Sequence, residues 1–82
     1  METTKVLKGF RAKRLLSQDM IADKLDITRQ TYNYIENEPL RYDLQTVIKV
    51  LEVLDLNQME IEEFFNALKQ DYLSCKEKNE KD

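Results

Sequence analysis

The stretch SQDMIADKLDITRQTYNYIEN, residues 17–37, predicts two short helices separated by a tight turn. Ser17 is a good N-cap, and apolar residues at helical spacing follow it as far as Leu25. Thr28 can cap a second helix that continues to about Asn37. Only the four residues from Leu25 to Thr28 join the two helices. This pattern indicates a helix-turn-helix motif.

The second of these helices is predicted to have two different faces. At about 100° per residue, Tyr32 and Ile35 lie together on an apolar face that also carries Thr31. The opposite face is a row of polar side chains, namely Arg29, Gln30, Asn33, Tyr34 and Asn37. The major groove of B-DNA is about 12 Å wide and admits one α-helix. We therefore expect the polar row to face duplex DNA while the apolar face packs on the protein.

The composition predicts an all-α protein. The 82 residues include one glycine and one proline, too few for the turns of a sheet. An amphipathic first helix is predicted over residues 6–16. Asp43 is predicted to cap a central helix whose core positions are Leu44, Val47, Ile48, Leu51 and Leu54. A fifth helix, capped by Asn57, carries one apolar stripe: Ile61, Phe64, Phe65, Leu68, Tyr72 and Cys75.

We expect three segments along the chain: a DNA-binding core over residues 1–57, a C-terminal helix over 58–75 and a frayed tail over 76–82. A helix of about eighteen residues is about 27 Å long, which is longer than such a small core. Its uncovered part is predicted to form a homodimer interface: Phe65, Leu68, Tyr72 and Cys75. The alternative is that this helix packs wholly within its own chain.

Composition also argues against several classes of protein. A single cysteine and no histidine exclude an internal disulfide and leave no zinc-ligand set, and we expect no metal or other cofactor. The sequence contains no catalytic constellation, so an enzyme is not expected. It also lacks an apolar run long enough for a membrane span and a recognisable export signal, which predicts a cytoplasmic protein with no membrane partner.

Charge is unevenly distributed. The net charge is -3, but residues 1–42 carry eight basic and six acidic groups, whereas residues 43–82 carry five basic and ten acidic groups. Residues 1–42 are therefore suited to binding phosphate, because association depends on the local electrostatic field and not on the net charge of the whole chain.

Residues 7–36 resemble the helix-turn-helix family of the Cro and CI type phage repressors, also called Xre-type regulators. The resemblance is carried by Arg11-x-x-Arg14-x-Leu16-Ser17-Gln18, Ile21-Ala22-x-x-Leu25, Ile27-Thr28-Arg29-Gln30-Thr31 and Ile35-Glu36-Asn37. It implies a compact five-helix, lambda-repressor-like domain with, in this chain, an extended C-terminal helix. Two positions depart from the family pattern, because Asp26 and Glu38 stand where the family usually has glycine.

The resemblance also implies roles for individual residues. The positions that read bases are Thr28, Arg29, Gln30, Asn33 and Tyr34, and those that contact phosphate are Gln18, Asn37 and Arg41. Arginine can bind guanine O6 and N7, while Gln30 or Asn33 could pair with adenine N6 and N7. Arg11 and Glu36 match an internal ion pair of the family.

The function expected from these observations is sequence-specific transcriptional regulation. We expect a homodimer that binds a palindromic operator in double-stranded DNA, as a repressor of phage or mobile-element type. The alternative is a protein-interaction module, such as an antitoxin or an anti-repressor, that sequesters a basic partner through its acidic back half and C-terminal helix.

Overall fold

The computed structural model describes residues 2–80, with side chains described for residues 2–74. This part of the chain contains five α-helices and no strand, so the predicted all-α class is confirmed. The helices are α1 (Glu2–Lys13), α2 (Gln18–Leu25), α3 (Arg29–Asn37), α4 (Leu44–Leu54) and α5 (Gln58–Glu80). The loop between α3 and α4 contains one turn of 3₁₀ helix, Pro39–Arg41.

Helix α1 ends earlier than predicted, at Lys13 instead of Leu16. Leu15 adopts the left-handed conformation with φ 56°. Its N–H donates to the carbonyl of Ala12 at 3.1 Å, and the N–H of Leu16 donates to the carbonyl of Arg11 at 3.0 Å. These two bonds form a Schellman motif, which ends an α-helix. The helical pattern of residues 6–16 does not reveal this ending, because Leu16 still packs against the core.

Replacing Leu15 with glycine should raise the free energy of unfolding by about 1 kcal/mol, because glycine adopts positive φ without a steric penalty. The Leu15 side chain is 87% exposed, so little packing is lost. The measurement is urea unfolding, with Leu15→Ala as the matched control that removes the same exposed side chain but keeps a β-carbon. Equal stability of the glycine and alanine variants would contradict this account.

The turn between α2 and α3 also contains a left-handed residue. Asp26 has φ 58° and ψ 43°. It therefore adopts at this position the conformation for which glycine is favoured, at a cost of about 1 kcal/mol. Glu38, the other departure from the family pattern, has φ -139° and lies outside the left-handed region. The loop after α3 thus has no conformational need for glycine.

Helix α4 faces the core differently from the prediction. Val47, Leu51 and Leu54 are buried as predicted, and Val50 is buried with them. Leu44 and Ile48 are 62% and 41% exposed, so their assignment to the core is wrong. The helix packs against α2 and turns Val50 inward, which rotates Leu44 and Ile48 toward solvent.

Helix α5 begins with a capping box, in which the side chains of Asn57 and Glu60 each accept a hydrogen bond from the other residue's main-chain N–H. The Asn57 side chain accepts from the Glu60 N–H at 2.8 Å, and the Glu60 carboxylate accepts from the Asn57 N–H at 3.1 Å. The same carboxylate pairs with Arg14, the residue that follows α1, at 2.5 and 3.0 Å. The start of α5 is thereby fixed to α1.

Among the α5 residues with described side chains, 58–74, the buried ones are Glu60, Phe64, Ala67 and Asp71. Asp71 accepts the N–H groups of Glu2 and Thr3 at 2.9 Å each, and also the Thr3 hydroxyl. Helix α5 therefore packs along α1 as far as Asp71, so on this face the core covers more of the helix than its predicted excess length implied. The helix continues to Glu80, beyond its predicted end at Cys75, because residues 76–80 contain neither glycine nor proline.

The Glu60 pairing predicts a pH dependence of stability. The hydrogen bond from Arg14 lowers the pKa of Glu60 to about 2, from an ordinary 4.5. A depressed carboxyl pKa stabilises the folded state above the unfolded pKa, and this contribution is lost as pH falls from about 4.5 to about 2. In denaturant unfolding across this window, Glu60→Gln should lose less stability than the unchanged protein. Parallel pH profiles for the two proteins would contradict the assignment.

Within residues 2–80, none of the helices combines the length and apolar character needed to cross a membrane. The described side chains also include no group of three or more metal-ligating residues placed to hold an ion.

Candidate nucleic-acid interface

Helix α3 has a buried side and an open side. Tyr32, Ile35 and Glu36 are 0–3% exposed and attach the helix to the rest of the domain. On the other side Arg29, Gln30, Tyr34 and Asn37 are exposed, and Asn33 is half-buried. The structure thus brings the polar row predicted from the sequence to one accessible face of α3.

The N-terminus of α3 is capped as predicted. The Thr28 hydroxyl accepts from the Thr31 N–H at 3.1 Å and lies 2.8 Å from the Thr31 hydroxyl. Thr28 is exposed at this end of the polar row, beside Arg29.

The exposed residues of α3 make only weak or local contacts. An Arg29 Nη lies 3.8 Å from Asp19 on α2, and both side chains are about two thirds exposed. A pair this long and this exposed contributes little and is easily released. Gln30 donates from Nε2 to the Tyr34 hydroxyl at 2.9 Å, one helical turn away. Arg29 is therefore available to an external ligand, and Tyr34 holds the Gln30 amide on the open face.

A buried ion pair fixes the end of α3 to α1. Arg11 donates to both carboxylate oxygens of Glu36, from Nε at 2.9 Å and from an Nη at 3.2 Å. The Tyr32 hydroxyl also donates to Glu36, at 2.9 Å. The Glu36 carboxylate raises the pKa of Arg11, while burial, followed by that same charge, raises the pKa of Tyr32. Arg11, Tyr32 and Glu36 therefore act together as the support behind the open face.

Three side-chain amides connect this support to the open face. Gln18 donates from Nε2 to Glu36 at 3.2 Å and to Asn33 Oδ1 at 3.1 Å. Asn37 donates from Nδ2 to the same Asn33 Oδ1 at 3.1 Å and to the Asn33 main-chain carbonyl at 2.9 Å. Gln18 and Asn37, both predicted to contact phosphate, thus direct their side-chain donors toward the protein.

Arg41, the third predicted phosphate contact, lies on the 3₁₀ turn after α3. Its side chain is 77% exposed, and its Nη is 2.9 Å from a Glu38 carboxylate oxygen. The carboxylate partly neutralises the guanidinium, yet the exposure of both groups leaves Arg41 free to exchange partners.

The predicted dimer residues occupy mixed environments. Phe65 and Tyr72 are 42% and 56% exposed, whereas Leu68 packs partly on the core of its own chain. The Cys75 side chain lies outside the described residues. Between α4 and α5 there is an open groove of about 440 Å³, lined by Ile48, Leu51, Glu52, Asp55, Leu56, Ile61 and Phe65. Sequence reasoning missed this groove because it placed Ile48 in the core.

Several important contacts had little or no signal in the sequence. The Asn57–Glu60 spacing is typical of a capping box and could have identified Glu60, although not its partner Arg14. The Gln18–Asn33 hydrogen bond joins two helices. A helical wheel treats each helix separately and cannot reveal such a contact.

Comparison with known proteins adds one finding. A family model described as "Helix-turn-helix" matches residues 7–57, which include α2, α3 and α4. Searches of curated proteins and of solved structures gave no match.

Proposed function

Because the chain belongs to the Xre/Cro-CI type helix-turn-helix family, a family of DNA-binding regulators, we propose that it represses transcription by placing α3 in the major groove of an operator. The main support is the open face of α3, where Arg29 and Gln30 are exposed while Tyr32 and Ile35 are buried beneath them. Repression would follow from occupying a promoter and excluding polymerase. It would act in the cytoplasm of a bacterial cell, as a repressor of phage or mobile-element type.

Base reading is assigned to the N-terminal half of α3. The Arg29 guanidinium has the fork geometry that matches guanine O6 and N7, and a glutamine amide matches adenine N6 and N7. Gln30 is held by the Tyr34 hydroxyl, which leaves one amide hydrogen and the carbonyl oxygen unbonded within the described part of the chain. Thr28 and Tyr34 border these two residues and complete the proposed reading surface with Asn33.

Phosphate contacts are assigned to both ends of the reading surface. Gln18 is the first residue of α2, and the main-chain N–H groups of a helix N-terminus attract phosphate oxygens. This main-chain contribution fits the structure, since the Gln18 side-chain hydrogens bond Glu36 and Asn33. Arg41 would contact the backbone beyond the other end of α3, whereas Asn37, also expected to contact phosphate, has both side-chain hydrogens bonded to Asn33.

Arg41→Ala should weaken binding to all DNA sequences alike and reduce the slope of log affinity against log salt by about 1 per subunit, if Arg41 neutralises one phosphate. The measurement is a titration of labelled duplex at several salt concentrations. Arg41→Lys is the matched control, because it keeps the charge and should keep the slope. An unchanged slope in the alanine variant would remove Arg41 from the phosphate contacts.

We also propose that the protein binds as a homodimer through the exposed face of α5. Phe65 and Tyr72 are two turns apart on α5, and both are about half exposed. Leu68 lies between them on the helix and Cys75 one turn further along the sequence. Two copies related by a two-fold axis would present two α3 helices to half-sites about 34 Å apart. A monomer in light scattering at micromolar concentration would contradict this assembly.

Selection from a library of randomised DNA duplexes tests the proposal as a whole. The expected product is a palindromic motif whose half-site centres are 10–10.5 base pairs, or a multiple of that spacing, apart. Footprinting of the DNA upstream of the protein's own gene should then show protection over the same motif. Failure to enrich any sequence would contradict a sequence-specific regulator.

The α4–α5 groove supports a second candidate function, the binding of a protein partner. Its walls are mostly apolar and include two carboxylates, Glu52 and Asp55, so a basic amphipathic segment is the complementary occupant. An antitoxin or anti-repressor would use such a groove to sequester its target. Stoichiometric co-purification of a basic protein, with no shift of operator DNA, would favour this function over the first.

A further inference from the structure

The orientation of the Asn33 amide is determined by a buried carboxylate on the next turn of α3. Glu36 is 0% exposed and forms a two-contact ion pair with Arg11, so its oxygens only accept hydrogen bonds. The Gln18 side-chain atom that lies 3.2 Å from Glu36 must therefore be the amide nitrogen. This removes the usual ambiguity between the oxygen and nitrogen of a glutamine side chain.

The same reasoning continues from Gln18 to Asn33. The Gln18 nitrogen also lies 3.1 Å from one atom of the Asn33 amide, which must then be the acceptor Oδ1. On the other side, one atom of the Asn37 amide lies 2.9 Å from the Asn33 main-chain carbonyl. A carbonyl oxygen only accepts, so this Asn37 atom must be the donor Nδ2. The same nitrogen lies 3.1 Å from Asn33 Oδ1. Two independent donors therefore converge on Asn33 Oδ1 and use both of its lone pairs.

The Asn33 nitrogen is left facing outward. Asn33 Nδ2 has no hydrogen-bond partner among the described residues. Every buried side-chain nitrogen or oxygen in the described part of the chain does have a partner. Since Asn33 Nδ2 has no partner, it is not one of the buried atoms and is accessible to solvent. The open face of α3 thus presents, at this position, two N–H donors and no acceptor.

We propose that Gln18 and Asn37 are positioning residues that restrict Asn33 to reading an acceptor-only base edge, with guanine as its base. Guanine presents two acceptors, O6 and N7, in the major groove and so matches both N–H donors, whereas thymine presents the single acceptor O4, and adenine presents an acceptor and a donor. Pairing with adenine would require Asn33 Oδ1, which is already occupied. This inference rests on the proposed function and replaces, for Asn33, the adenine pairing expected from the sequence.

Rotating the Asn33 amide by 180° would not restore adenine pairing without loss. The rotation would break the hydrogen bonds from Gln18 and Asn37 and bring Asn33 Nδ2 against two donor nitrogens. Glu36 prevents Gln18 from rotating in compensation, because a Gln18 oxygen would then face the carboxylate.

The test is selection of randomised duplexes with four proteins: the unchanged protein, Asn33→Ala, Gln18→Met and the double variant Gln18→Met/Asn37→Ala. The base pair whose preference is lost in Asn33→Ala is the one that Asn33 reads. There the unchanged protein should prefer guanine over adenine by at least about tenfold. The preference should weaken in Gln18→Met and fall below about threefold in the double variant, while the base pair read by Arg29 keeps its preference in both.

Adenine preferred by the unchanged protein at that base pair would overturn the inference, as would an undiminished guanine preference in the double variant. Circular dichroism melting confirms that each variant is folded. In NMR of the free protein, the Gln18 amide hydrogens should exchange slowly and those of Asn33 rapidly; the reverse would overturn the amide orientation. If the exchange pattern is as expected but no DNA sequence is enriched, the proposed function is wrong, and guanine reading is wrong with it. The orientation assigned to the Asn33 amide would still be correct.

Discussion

Arg11→Met should lower the free energy of unfolding by about 3–5 kcal/mol, because it leaves the Glu36 carboxylate buried without its cation. Glu36 is 0% exposed, and its remaining partners, Tyr32 and Gln18, supply only neutral donors. A domain of this size has a total stability of roughly 5–10 kcal/mol. The variant should therefore unfold at much lower urea concentration, with a drop in melting temperature on the order of 15 °C or more.

The double variant Arg11→Met/Glu36→Gln is the control for this prediction. It removes both charges but keeps a side-chain acceptor for the Tyr32 hydroxyl, so it should recover a substantial part of the lost stability. A loss below about 1 kcal/mol in Arg11→Met would show that Glu36 finds adequate solvation without the guanidinium. The support behind the open face of α3 would then not depend on this pair.

Arg29→Ala should reduce operator affinity by about 1–3 kcal/mol for each half-site and relax the preference at one base pair in each. Because the proposed dimer would use two copies of α3, the loss should apply twice and bring operator binding close to non-specific binding. Titration of the selected operator and of a scrambled duplex at one fixed salt concentration measures both effects.

Asp19→Asn provides the matched control for Arg29. It removes the carboxylate that lies 3.8 Å from the Arg29 guanidinium and leaves the arginine in place. Operator affinity should be equal or slightly higher in this variant, since Arg29 no longer gives up a partner on binding. If Arg29→Ala leaves the base preference unchanged, Arg29 contributes charge only and does not read a base.

Local signals in the sequence predicted the helix-turn-helix well. Ser17 and Thr28 cap α2 and α3 at the predicted positions, as hydroxyl caps act on N–H groups two or three residues away. The face of α3 was also predictable, because its apolar and polar residues separate cleanly by angle. In α4 the apolar residues cover a wider arc, and only packing against α2 determines that Leu44 and Ile48 are exposed.

Contacts between distant parts of the chain were not predictable in the same way. Asp71 and Thr3 are separated by 68 residues and meet only when α5 packs along α1. The link from Glu36 through Gln18 to Asn33 crosses between α3 and α2, and it determines which atoms of Asn33 face outward. Sequence reasoning predicted that Asn33 reads a base, but it treated both ends of the amide as available.

The Asp71 contact with the start of α1 has a consequence for synthesis of the protein. On the ribosome, α1 emerges first, yet the carboxylate that caps its N–H groups arrives only after nearly the whole domain has been translated. The motif formed by α2 and α3 leaves the exit tunnel earlier and can form its local hydrogen bonds while α1 is still uncapped. Closure of the domain therefore waits until Asp71 of α5 has left the exit tunnel.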